Sequence, residues 1–261
     1  VRFEAVNLAN LDSIETFAQR LRQTQDSLEL LINNAAVMTP PQRRETADGF
    51  ELQLGTNFLG HFSLTAQLLP LLYNGQQPRV VNLSSVAARS GVIDFNDLQS
   101  TRQYKPMVAY SQSKLACLMF ALELQRRSDA GHWGIQSIAA HPGVARTDLL
   151  INGAGANSVP GRLRRYLWFL FQPAAQGALP PLFAATSPTA QGGGYYGPDR
   201  LGETRGYPAP AATPAAALDT LDAQRLWTDA ERLVEVVYPA PLRSSGREGA
   251  AIDHELAASN R

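Results

Sequence analysis

Arg79-Val80-Val81-Asn82-Leu83-Ser84-Ser85 is a short β-prone run that stops at two hydroxyl side chains. Paired valines without polar alternation mark a strand buried on both faces, the kind found in parallel sheets. The same shape recurs on either side. Leu28 to Ile32 is an apolar run interrupted only by Glu29 and ending in Asn33-Asn34, and Ile135 to Ala140 reads as another strand, ending in His141-Pro142-Gly143. Two long helical patterns lie between these strands. One spans Ala47 to Tyr73, with a break expected at Pro70 and a stop at Asn74-Gly75; the other spans Met107 to Arg127. Farther out, Val1 to Val6 alternates like a strand, and Asn10 or Asp12 can cap a helix carrying Ile14, Phe17, Ala18 and Leu21 on one face. Ala174 to Ala185 and Leu221 to Val237 read as helices around a short strand at Gly194-Tyr195-Tyr196. This alternation predicts an α/β fold with a doubly wound parallel sheet. One domain is expected over residues 1–239, with a Pro/Ala-rich surface connection at 208–220 and a disordered tail at 240–261.

Composition narrows the function classes. The chain has 261 residues, enough for one large domain. Its 23 basic and 23 acidic residues cancel, which argues against nucleic acid or an anionic membrane as the main partner. A single cysteine, Cys117, excludes an intramolecular disulfide and a cysteine-ligated metal site. His61, His132, His141 and His254 are scattered without ligand spacing, so no metal is expected. The aromatic-apolar run Tyr166 to Phe171 is far below the roughly 20 residues of a membrane span. No signal peptide is apparent, and a soluble, reducing, cytoplasmic setting is the expectation. Only two of the 23 basic residues are lysines, Lys105 and Lys114. A chain that otherwise uses arginine for its cations keeps lysine where a compact ammonium serves.

Lys114 follows Tyr110 by one helical turn, in Tyr110-Ser111-Gln112-Ser113-Lys114. Side chains at i and i+4 share a face, so an ammonium can lie beside a phenol. Lowering a phenol from about 10 to about 7 takes roughly 4 kcal/mol, and a cation about 4 Å away at an effective dielectric near 20 supplies about that much. The pair makes sense as proton donor and acceptor for an alcohol/carbonyl couple. Ser84 and Ser85 close a strand, where ligands of open α/β sheets bind, and a serine there can donate to a carbonyl oxygen. Asn57 lies inside the long helix, a poor place for asparagine, and so invites a functional reason; the alternative is an amide facing solvent.

Together these residues resemble the short-chain dehydrogenase/reductase family. The resemblance covers about Val1 to Val237 through N-N-A-A at 33–36, T-N-F-L-G-H-F at 56–62, V-N-L-S-S at 81–85, Y-S-Q-S-K at 110–114 and H-P-G-V-A-R-T at 141–147, in the family's order. It implies a Rossmann-like fold and hydride transfer between NADP or NAD and a carbonyl or alcohol carbon. Tyr110 would be the acid/base, Lys114 would bind the nicotinamide ribose and depress the phenol, Ser85 would hold the carbonyl oxygen, and Asn57 would anchor a water relaying protons through Lys114. The cofactor would touch Asn7, Asn34, Ala35, Ala36, Tyr110, Lys114, Pro142, Gly143, Val144 and Thr147. The 25-residue gap from Ser85 to Tyr110, with T-A-D-G-F-E at 46–51 and D-F-N-D-L at 94–98, looks like the retinol-dehydrogenase-like and protochlorophyllide-reductase-like branch. That branch implies a bulky, apolar small-molecule substrate and slightly favours NADP. The stretch 162–171 would be its substrate lid, with a basic, aromatic rim able to touch a membrane surface.

Departures accompany the match. The family's glycine-rich phosphate loop is not found, so the chain is expected to be an N-terminally incomplete fragment. Gly192 to Gly197 satisfies G-x-G-x-x-G, but Pro198 follows and no helix begins, so it reads as the last strand. Asn7 replaces the usual aspartate and Ala36 the usual glycine. Ser111 to Lys114 also spells S-x-x-K, but no lysine follows Lys114 to form the K-T-G that a penicillin-recognising hydrolase needs. The standing alternative is a non-catalytic, dehydrogenase-like binding or scaffold protein.

Overall fold

The computed structural model describes residues 1–144 and 172–239. Helix α1 (Leu11–Thr24) opens where the Asn10 side chain accepts the Ser13 N–H, and it buries Ile14 and Ala18. Strand β1 (Leu30–Asn33) follows. The next helix, α2, starts as Leu52–Leu54 under a Glu51 cap, widens to a π-turn over Gly55–Leu59 and continues as Gly60–Tyr73. Then come β2 (Arg79–Leu83), a 3₁₀ turn at Val86–Ser90 capped by Ser85, α3 (Pro106–Gly131) and β3 (Gln136–Ala140). Beyond the undescribed segment lie α4 (Ala174–Gly177), α5 (Leu179–Thr186), β4 (Tyr195–Arg200), β5 (Arg205–Pro210), α6 (Ala215–Leu218) and α7 (Thr220–Leu233).

The strands form one five-stranded sheet in the order β1-β2-β3-β4-β5, parallel from β1 to β4, with β5 antiparallel to β4. Alternate residues feed opposite faces, as strand periodicity requires. Val80 and Ala139 join the large core with α2, α3 and α7, whereas Val81 and Ile138 pack under α5 on the other side. Helices on both faces make the sheet doubly wound. Proline at the first position starts α3, and Lys105 before it is extended, as a residue preceding proline must be. Tyr110 through Leu124 of α3 are all buried, so this helix is enclosed on every side rather than along one stripe.

Several expectations need correction. Val1 to Val6 forms no strand: Phe3 is exposed, and Glu4 pairs with Arg2 and Arg20 instead of lying along β1. A β-prone hexapeptide becomes a strand only when a ladder receives its backbone groups. The run ending at Ile32 is not buried on both faces, because β1 is an edge of the described sheet and Ile32 is 39% exposed. Pro70 does not break α2. It sits in the last turn, among buried Leu68, Leu69, Leu71 and Leu72, whose packing outweighs the roughly 3 kcal/mol cost of an interior proline. The segment read as a connection from 208 supplies part of β5, where Pro208 and Pro210 are tolerated on an outer strand. The proposed tail at 240–261 lies outside the described residues.

Candidate active site

Parallel pairing brings three polar strand ends side by side. Asn33 is in register with Asn82, and Leu83 with Ala140, so Asn34-Ala35-Ala36, Ser84-Ser85 and His141-Pro142-Gly143 emerge at one edge of the sheet. All of these but His141 border a cleft of about 990 Å³. The first turns of α3 cross beneath it and bring Tyr110 and Lys114 to its floor. Of the residues assigned to catalysis from sequence, Ser85, Tyr110 and Lys114 line this cleft. So do Asn34, Ala35, Ala36, Pro142, Gly143 and Val144 of the cofactor set.

The two serines have separate duties. Ser84 donates to the Lys114 carbonyl at 2.8 Å, tying β2 to α3. Ser85 accepts the Ala87 N–H at 3.2 Å, and its side chain lines the same cleft as the Tyr110 phenol.

The electrostatics differ from the sequence expectation. Burial pushes the Tyr110 phenol up to about 12, with Ser85 pulling the other way and the neighbouring Cys117 adding to the rise. Lys114 is not what sets it. Its ammonium, itself lowered by burial, donates to the Leu83 carbonyl at 3.0 Å. One helical turn places the two side chains on one face, but the strand end beside them takes up the ammonium.

Asn57 stands apart from the other three. It is 1% exposed, which rules out a solvent-facing amide, yet it lines a small void behind the cleft rather than the cleft itself. Its Oδ1 accepts the Val37 N–H at 2.8 Å, and its Nδ2 donates to the Val37 carbonyl and to Ser113 Oγ. The amide therefore holds one wall of the cleft against α3. The π-turn leaves the Asn57 carbonyl to accept from His61 Nδ1 at 2.9 Å and Cys117 Sγ at 3.0 Å. Asn7 is likewise outside the cleft lining. Its Oδ1 accepts the Ala9 N–H and its own N–H meets Ser13 Oγ, a local cap at the entry to α1. Thr147 and the lid stretch 162–171 lie outside the described residues.

Sequence reading missed the Arg89, Glu203 and His141 cluster beside the cleft. Glu203 Oε2 meets His141 Nε2 at 3.0 Å and pairs with Arg89. Glu203 had no local signal, because it sits 62 residues from His141 in a turn no motif marks.

The short chain dehydrogenase family profile matches residues 1–157. The chain belongs to this family. It is 40% identical to retinol dehydrogenase 13 of Mus musculus over 239 residues, covering 90% of this chain and 68% of the relative. Polyprenol dehydrogenase of Mus musculus is 40% identical over 237 residues, covering 88% and 67%. A crystal structure of an uncharacterised protein from Mycobacterium Paratuberculosis superposes with a TM-score of 0.72 at 35% identity, covering 90% of this chain and 76% of that one. The family is one of NAD(P)-dependent oxidoreductases, and the retinol-dehydrogenase-like branch is the one this chain joins. Among the described residues, no helix is long and apolar enough to cross a membrane.

The cleft fits the nicotinamide end of such a cofactor. Backbone from Asn34 to Val37 faces Pro142 to Val144 across it, with a phenol and an ammonium at the base. Gly143 has φ of +66°, and a Cβ there would collide with the Thr204 carbonyl, so the loop requires glycine. Among the described residues, no glycine-rich turn leading into a helix borders the cleft to receive a pyrophosphate.

Proposed function

We propose that the chain interconverts a carbonyl and an alcohol on a bulky, apolar small molecule, with Tyr110 as the group that moves the proton. The observation that carries this reading is the convergence of Ser85, Tyr110 and Lys114 on one cleft whose lining also includes Met38, Leu52, Val86 and Met107. A bound nicotinamide dinucleotide supplies or accepts the hydride. Asn34, Ala35, Ala36, Pro142, Gly143 and Val144 would hold its nicotinamide half, and Lys114 its ribose. Ser85 donates to the substrate oxygen, and Tyr110 gives that oxygen its proton as the carbonyl is reduced. Burial keeps the phenol protonated, which is the form reduction uses. Support for an apolar substrate comes also from the relatives, whose names specify retinol and polyprenol.

NADP stands ahead of NAD on the branch resemblance alone. The test is NADPH- and NADH-dependent reduction of aldehydes of increasing chain length. Turnover should favour long apolar aldehydes, and Tyr110→Phe should lower kcat by about 10²- to 10⁴-fold with little change in dinucleotide affinity. Full activity in that variant refutes the mechanism.

A further inference from the structure

His141 is completely buried, and both of its ring nitrogens are engaged. The Gly143 N–H donates to Nδ1 at 3.2 Å, while Nε2 meets Glu203 Oε2 at 3.0 Å. Only one tautomer satisfies both: Nδ1 bare, Nε2 carrying the proton. Glu203 is held in turn by Arg89 and by the Ala212 N–H, which donates to its other oxygen at 2.9 Å. Arg89 also donates to the Gly202 carbonyl at 3.1 Å. Gly197 leaves room for the imidazole, since a Cβ there would strike the ring.

This cluster joins three segments beside the cleft. Arg89 rides on the 3₁₀ turn capped by Ser85, Glu203 lies in the turn between β4 and β5, and His141 follows β3 directly. The same β4–β5 turn grips the loop after β3 a second time, through the Thr204 carbonyl and the Val144 N–H at 2.8 Å. Glu203 has φ of +65°, an unfavourable backbone for a non-glycine residue, so its side chain is kept there against a local cost.

We infer that Glu203 is a positioning residue that acts through His141: it selects the imidazole tautomer that accepts the Gly143 N–H and so sets the 142–144 wall of the cleft. The inference rests on the reading of that wall as the seat of the nicotinamide half. The charged and titratable groups facing the ring are Glu203 from the β4–β5 turn, Arg89 from the 3₁₀ turn and Tyr195 from β4, whose ring lies 5.2 Å away. Burial pushes the imidazole below its ordinary value against the pull of Glu203, with Arg89 adding to the fall, which keeps the acceptor nitrogen free of a proton. Burial alone would raise the Glu203 carboxyl, but the Ala212 N–H, His141 and Arg89 outweigh it and hold it below the usual range.

The experiment has two arms. In the ligand-free chain, imidazole ¹⁵N shifts of His141 should report the Nε2–H tautomer from pH 6 to 8. In Glu203→Gln the amide can donate to or accept from Nε2, so the tautomers should mix, and the Gly143 and Val144 amides should exchange roughly tenfold faster. In the kinetic arm, Glu203→Gln should raise the dinucleotide KM roughly tenfold while kcat stays within threefold. His141→Asn places an amide oxygen near the position of Nδ1, so it should keep KM near that of the parent. Adding Glu203→Gln to His141→Asn should then cost nothing further. An unmixed tautomer with unchanged exchange in Glu203→Gln overturns the inference, as does an unchanged dinucleotide KM in an active protein. If no dinucleotide-dependent turnover is found at all, the functional reading fails while the ligand-free arm still decides what Glu203 does.

Discussion

An ionisation measurement on Tyr110 separates burial from the Lys114 charge as the force that sets the phenol. The phenol is 5% exposed and lies at about 12, two units above an ordinary tyrosine. Two units correspond to about 2.7 kcal/mol against forming the phenolate. At pH 10.5 an ordinary tyrosine is about three-quarters ionised, whereas a group at 12 is about 3% ionised. Tyr73, Tyr104, Tyr195 and Tyr238 are also raised by burial, so a bulk titration cannot isolate this group. The assay is therefore the difference in phenolate absorbance between the ligand-free chain and Tyr110→Phe, followed from pH 7 to 10.5. The difference should stay nearly flat. Stability gives a second reading with a definite sign. Because the folded value lies above the unfolded one, the contribution of Tyr110 is intact below pH 10 and declines as pH rises from 10 through 12. Tyr110→Phe should remove that part of the alkaline loss. A difference curve with its midpoint at or below pH 10 would show that the ammonium reaches the phenol despite its bond to the Leu83 carbonyl, and the electrostatic argument would fall.

Three further outcomes are expected. Burial pushes His61 down to about 4, so its contribution is intact above pH 6.5 and is lost as pH falls from 6.5 through 4, by about 3 kcal/mol in all; His61→Gln should flatten that limb of the stability profile, and an unchanged limb counts against it. Phe62→Ala empties the centre of a cluster with Phe120, Trp227 and Tyr238 at 4.9–5.2 Å and should cost about 3–5 kcal/mol in denaturant unfolding; a loss below about 1.5 kcal/mol would mean the site collapses on itself. Asn57→Ala leaves the Val37 N–H without its partner and should cost about 1–3 kcal/mol, with faster exchange at Val37; exchange as slow as in the parent would show the amide does not hold that wall.

Much of this molecule is legible one segment at a time. The paired valines of β2, the two asparagines at the end of β1 and the proline that opens α3 act through backbone preferences and periodicity within a few residues. From those strand ends and the Tyr110–Lys114 spacing, most of the cleft can be named in advance. Other features depend on contacts far apart in the chain. Whether Val1 to Val6 pairs, whether Ile32 is covered and whether Pro70 is tolerated depend on neighbours the local pattern does not contain. The Asn57 amide acts on Val37 and Ser113, and Glu203 acts on a histidine 62 residues earlier. The phenol follows the same rule. A helical turn sets which face Tyr110 and Lys114 share, but desolvation and hydrogen bonding in the assembled core determine their protonation, because a charge is stabilised by whatever atoms surround it and not by its position in the chain.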